Sequence, residues 1–148
     1  MTDQDYMALA LDLAQKGAGW TSPNPMVGAV LVKQGRIIGQ GYHARWGDLH
    51  AERAALAACR EDPAGSTLYV TLEPCPMCAG GIINARVDTV RYGTRDDKAG
   101  ACGSVLNLFE ERFNHHPRLY RGPLERECQE ILQDFFQGLR EDGAGENG

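Results

Sequence analysis

His50-Ala51-Glu52, followed by Cys75-Pro76-Met77-Cys78 starting 25 positions after the histidine, constrains this chain more than any other feature. His50, Cys75 and Cys78 form a borderline-to-soft donor set that suits zinc in a tetrahedral arrangement. Three protein ligands leave a fourth corner for water, which separates a catalytic zinc from a structural one. Glu52 is acidic and lies two residues from a ligand, so it can handle the proton that a zinc-bound water gives up. Pro76 suits a first helical position, which puts Cys75 and Cys78 at one point of a helix N-terminus, where dipole and metal both favour thiolate. His50 and Glu52 do not share a face of a regular helix, but both reach one ion if they occupy the turn where the chain enters its helix. The expectation is a zinc ion held between two helix N-termini. The bland alternative is a structural zinc closed by Cys102 or His43, in a module that binds RNA or a partner without turnover. Cys59 and Cys128 fall within apolar helical patterns and read as core.

The 148 residues suit one domain that folds without crosslinks. Five cysteines, an acidic N-terminus and no apolar run of eighteen point to a cytoplasmic, metal-binding chain, with no disulfide framework and no membrane span. A net charge of −5 argues mildly against nonspecific nucleic-acid binding. Within residues 84–121, however, seven basic residues stand against five acidic ones.

Hydrophobic periodicity predicts helices over 4–17, 50–59, 76–85 and 124–139, with a further short turn near 106–109. Strands are predicted over 27–32, 37–42, 67–72 and 87–93, with a last extended piece at Leu119 or Tyr120. The first two strands form a hairpin, and the run at 27–32 is apolar on both faces, so helices should cover both sides of it. This order predicts an α/β fold, a three-layer α/β/α sandwich around a mixed five-stranded sheet. Residues 1–140 form the domain, and the Gly-rich acidic stretch 141–148 is expected to be a flexible tail.

The H-x-E and P-C-x-x-C motifs resemble those of the cytidine-deaminase-like superfamily of zinc hydrolases. Within it, Leu72 to Gly80, Gly93 to Ser104, Phe113-Asn114-His115 and Asp134-Phe135-Phe136 resemble bacterial tRNA adenosine deaminases. The stretch Thr21 to Val30, with Pro23-Asn24-Pro25, and Gly41-Tyr42-His43 look more like the deaminase domain of the riboflavin pathway. The resemblance implies zinc on His50, Cys75 and Cys78, and Glu52 as proton shuttle. The backbone beside Ala51, with Val27 and Gly28, would hold the base. Asp96 and Lys98 would sit beside neighbouring nucleotides, Asn114 would be a further substrate-binding residue, and Phe135 or Phe136 would close over the site. It further implies a homodimer that converts adenosine to inosine at the wobble position of a tRNA anticodon stem-loop. The other branch implies a free nucleobase, nucleoside, nucleotide or riboflavin-pathway pyrimidine. In the tRNA branch a base-contacting Asn stands where this chain has His43, while riboflavin-pathway enzymes separate their cysteines more widely than Cys75 and Cys78. Asn24 reads either as a turn residue between prolines or as a substrate contact.

Overall fold

The computed structural model describes the backbone of residues 1–146 and side chains through residue 141. Helix α1 (Asp3–Gln15) starts at a capping box, in which the Thr2 hydroxyl accepts from the Asp5 N–H and the Asp5 carboxylate accepts from the Thr2 N–H. Strands β1 (Gly28–Lys33) and β2 (Arg36–Tyr42) form the expected hairpin. Its two-residue turn has positive φ at both positions, Gln34 (52°) and Gly35 (73°), the primed geometry that matches strand twist. Helix α2 (Ala51–Ala57), strand β3 (Thr67–Leu72), helix α3 (Pro76–Asn84), strand β4 (Thr89–Thr94), a 3-10 turn (Leu108–Glu110), strand β5 (Arg118–Arg121) and helix α4 (Glu125–Glu146) follow.

The sheet runs β2-β1-β3-β4-β5. β1 pairs antiparallel with both β2 and β3, whereas β3–β4 and β4–β5 are parallel. Alternation along β1 divides its side chains between two cores. Val30 and Val32 pack with Tyr6, Met7, Ala10 and Leu13 of α1 and with Cys128 of α4. Ala29 and Leu31 pack with Ala51 and Ala55 of α2 and Ala79, Ile82 and Ile83 of α3. Such a strand must be apolar at every position, because each face lies under a helix layer and each buried Val or Leu contributes about 1.5–3 kcal/mol. The three-layer sandwich and its mixed five-stranded sheet are as the periodicity predicts.

Some boundaries differ. β4 begins at Thr89, two residues later than expected, because the Val87 and Asp88 N–H groups bond the Ile82 and Ser66 carbonyls and leave the ladder. α4 continues to Glu146, through most of the stretch expected to be a flexible tail; residues 147 and 148 lie outside the described residues. Helix propagation adds one hydrogen bond per residue, which offsets the cost of about 1 kcal/mol for an interior glycine. Among the described residues, no helix is long and apolar enough to cross a membrane.

Candidate active site

The site lies at the carboxyl ends of the parallel strands β3 and β4, where open α/β sheets bind ligands. β3 delivers Glu73, Pro74 and Cys75 directly into α3. Cys75 is the N-cap of α3 with extended backbone (φ −76°, ψ 172°) and Pro76 opens the helix, so both cysteines face the same end. His50 is likewise the N-cap of α2, also extended (φ −62°, ψ 157°), and this is how it and Glu52 reach one centre despite a spacing of two. The predicted meeting of two helix starts is present.

His50 Nδ1 lies 3.7 Å from Cys75 Sγ and 3.5 Å from Cys78 Sγ. Zinc with bonds of about 2.05 Å to nitrogen and about 2.3 Å to sulfur, at tetrahedral angles, would hold N and S about 3.6 Å apart. The three ligand atoms all lie within 4.8 Å of one another, and among the described residues no fourth His, Cys, Asp or Glu joins them. The donor set therefore fits a zinc ion with one position left for solvent or substrate. Cys102 is buried but outside this group. Both ring nitrogens of His43 are engaged elsewhere, with Leu49 O (3.0 Å) and Asn24 Nδ2 (3.4 Å). Neither residue closes the site, and the structural-zinc alternative loses its fourth ligand.

Cys78 S–H donates to the Cys75 thiolate, which pulls the Cys75 thiol down to about 5 and pushes Cys78 up. A metal between them removes the need for that proton and takes both as thiolates. Glu52 is 4% exposed, and burial raises its carboxyl to about 7. A carboxyl with that value exchanges protons near neutral pH, as a general acid–base requires.

A cavity opens over this centre, and Asn24, Val27, His43, Ala51, Glu52 and Asp96 are among its lining residues. His43 is buried and stands edge-on to His50, ring centroids 5.6 Å apart. A carbonyl only accepts, so His43 Nδ1 carries the hydrogen and Nε2 accepts from the Asn24 amide. Asn24 is both turn and wall residue: its N–H bonds Thr21 O (2.8 Å) while its side chain lines the cavity. Its Oδ1 and second N–H remain for a ligand.

Other expected contacts do not converge on the cavity. The Gly28 N–H donates to Thr71 Oγ1 (3.2 Å), and a Cβ there would strike the backbone of α1 at Ala10. Asn114 is exposed, and neither it, Lys98 nor Phe135 lines the cavity. Lys98 Nζ instead sits 5.8 Å from the centre of the Phe136 ring, which packs against Phe135. Asp96 borders the cavity, but its Oδ1 accepts from the Lys98 and Ala99 N–H groups.

Sequence reasoning missed Glu73. It is 2% exposed, and its carboxylate accepts from the N–H groups of Asp96 (3.3 Å), Cys102 (3.0 Å) and Ser104 (3.1 Å) and from the Ser104 hydroxyl. It thus staples the loop 95–106 to the segment that carries Cys75. Gly100 is required by the same closeness, since a Cβ there would overlap the carboxylate. The available signal was an acid at the end of an otherwise buried strand, which must find donors.

Residues 1–94 match the family described as the cytidine and deoxycytidylate deaminase zinc-binding region. The chain is 41% identical over 148 residues to the tRNA-specific adenosine deaminase of Bacillus subtilis, covering 93% of this chain and 91% of that protein. It is also 41% identical over 146 residues to the riboflavin biosynthesis protein RibD of Actinobacillus pleuropneumoniae, covering 95% of this chain but 38% of that protein. Its structure superposes, with a TM-score of 0.79 and 39% identity, on a diaminohydroxyphosphoribosylaminopyrimidine deaminase/5-amino-6-(5-phosphoribosylamino)uracil reductase from Thermotoga maritima, over 94% of this chain and 41% of that one. The chain thus spans about two fifths of the length of the riboflavin-pathway proteins that it matches.

Proposed function

The chain belongs to the cytidine and deoxycytidylate deaminase family of zinc-dependent hydrolases, and on that premise we propose that it converts adenosine to inosine at the wobble position of a tRNA anticodon. The observation that carries this reading is the Glu73 staple. It brings the Arg95-Asp96-Asp97-Lys98 loop, the stretch that resembles the tRNA branch, to the cavity wall at Asp96. The compact Cys75–Cys78 spacing on one helical turn supports the same branch. Seated as a homodimer in the cytoplasm, the enzyme would take an anticodon stem-loop whose target base enters beside Asn24 and His43.

In the reaction, water adds at the amino-bearing ring carbon and ammonia leaves. His50, Cys75 and Cys78 would hold the zinc, whose chemistry there would be to lower the pKa of a bound water toward ~7. Glu52 takes up the proton and returns protons to the ring nitrogen and the departing amine, the task its raised carboxyl suits. Asn24 and His43 orient the base, and the loop held by Glu73 limits solvent entry.

A second reading, a free riboflavin-pathway pyrimidine, is favoured by the Asn24–His43 pair, which stands at the cavity wall where the tRNA branch has an Asn. Ammonia release from zinc-loaded protein decides between them. An anticodon stem-loop bearing a wobble adenosine would be compared with free cytosine, adenosine, guanine and a riboflavin precursor. Turnover confined to the stem-loop supports the tRNA assignment; turnover of a small molecule with none on RNA overturns it.

A further inference from the structure

We propose that a second groove, continuous with the catalytic cavity, binds a phosphate attached to the base being deaminated, with Arg53 as its cation and Trp46 as its aromatic wall. Asn24 and His50 line both spaces, so the groove adjoins the cavity over the metal ligands. Arg53 is the one Lys or Arg among its lining residues. Among the described residues it makes no ion pair, while the acid in the groove, Asp48, already pairs with Arg45 (3.4 Å). The stem of Arg53 lies over Gly81 of α3, where a Cβ would sit 3.6 Å from Arg53 Cδ, so the side chain is supported and its guanidinium is left for a ligand. A planar fork of five N–H donors matches phosphate oxygens.

Trp46 is 65% exposed, in a loop of eight residues between β2 and α2. Its N–H bonds Trp20 O (3.0 Å), which fixes the loop against the neighbouring one that carries Asn24. Met77 and Leu49, 51% and 49% exposed, complete an apolar floor beside the cation. A flat ring and a cation next to a base-sized cavity match a nucleotide unit: phosphate on the guanidinium, sugar or neighbouring base against the indole. A free nucleobase would leave all of this surface idle.

The phosphate has two sources, the phosphodiester of an RNA or the terminal phosphate of a free nucleotide. The inference rests on the deaminase reading of the cavity and deepens it, without depending on which base is converted. It is tested by binding, apart from turnover. Zinc-loaded Trp20→Phe protein carrying Glu52→Gln has Trp46 as its sole tryptophan. Its emission would be titrated with adenosine and cytidine, each with and without a 5′-phosphate, and with a wobble-adenosine anticodon stem-loop.

At least one phosphate-bearing ligand should bind tenfold or more tightly than its nucleoside. Arg53→Gln should remove that gain and flatten the dependence of log K on log salt by about 0.7 on the RNA, while leaving nucleoside binding and zinc content unchanged; Arg53→Lys should restore part of it. A gain seen with the stem-loop alone, and halved or more by Trp46→Ala, assigns the RNA source; a gain with the monophosphates alone assigns the free nucleotide and overturns the tRNA reading while the groove stands. Equal binding with and without phosphate in every pair, or equal losses on nucleoside and phosphate ligand in Arg53→Gln, overturns the groove. Stem-loop turnover indifferent to Arg53→Gln and Trp46→Ala overturns it as well, while the tRNA reading survives.

Discussion

Replacing Glu73 tests whether one buried carboxylate holds the active-site loop. Its Oε2 accepts from the Cys102 and Ser104 N–H groups, and its Oε1 from the Asp96 N–H and the Ser104 hydroxyl. Glu73→Ala leaves three backbone donors without an acceptor. The Cys102 N–H is buried and costs about 1–3 kcal/mol, whereas the Asp96 and Ser104 donors are partly buried and water recovers some of their loss. Removing a buried charge returns part of its desolvation. The net expectation is a loss of about 3 kcal/mol, a large share of the ~5–15 kcal/mol that stabilises a domain. Glu73→Gln should fall between. Its oxygen can keep the Cys102 and Ser104 N–H bonds, and the Ser104 hydroxyl can turn to accept from the new amide. The Asp96 N–H, however, then faces a donor, so about 1.5–3 kcal/mol is lost. Urea denaturation of the zinc-loaded proteins measures both. Because Asp96 and Ala99 line the cavity, KM should rise in step with the loss of stability. A Glu73→Ala protein within about 0.5 kcal/mol of the parent, the scatter of neutral surface changes, and with unchanged KM would refute the reasoning.

Three further outcomes follow from the site and its supports. Glu52→Ala should keep zinc, since Glu52 is not among the ligands, yet lose at least ~10²-fold in kcat; metal analysis beside turnover checks both, and normal turnover would end the proton-shuttle role. Zinc removal should expose Cys75 to alkylation at pH 6. Its lowered value of about 5 keeps it thiolate there and reactivity should fade only as pH drops through that value, while Cys128, pushed to about 12 by burial, stays silent. Peptide mass mapping with and without chelator reads this, and labelling indifferent to the metal would count against the ligand assignment. Gly93→Ala places a Cβ against Cys128 Sγ, with Thr71 O 2.7 Å away, between β4 and α4. Such overpacking costs about 1–3 kcal/mol, and a denaturation midpoint equal to the parent's would show that α4 yields freely.

What could be read in the sequence depended on how local its cause was. Cys75-Pro76-Met77-Cys78 is one helical turn, so proline at the first position and a spacing of three already fix where both sulfurs point. His50 and Glu52 needed one more inference, that the chain enters a helix between them, and the N-cap geometry of His50 bears it out. The two-faced apolar run of β1 revealed a central strand, because only a covered strand tolerates Val30, Leu31 and Val32 in succession. The start of β4 and the reach of α4 were less legible, since both depend on whether marginal residues gain more from a turn or from continuing a ladder or helix. Glu73 was invisible for a different reason. Its partners are 23 to 31 residues away, in a loop with no periodicity, so nothing near Glu73 states the geometry that it supports. Arg53 and Trp46 share that property: each is an ordinary surface residue by local rules, and they acquire meaning only once α2 and the loop before it stand beside the metal ligands. Residues that make the chemistry possible are thus written in short spacings, whereas those that choose its substrate are written in which loops meet. This is why two halves resembling different branches of one family can share a single zinc centre without conflict, and why substitutions at Arg53, Trp46, Asn24 and His43 should redirect selectivity while leaving the zinc site intact.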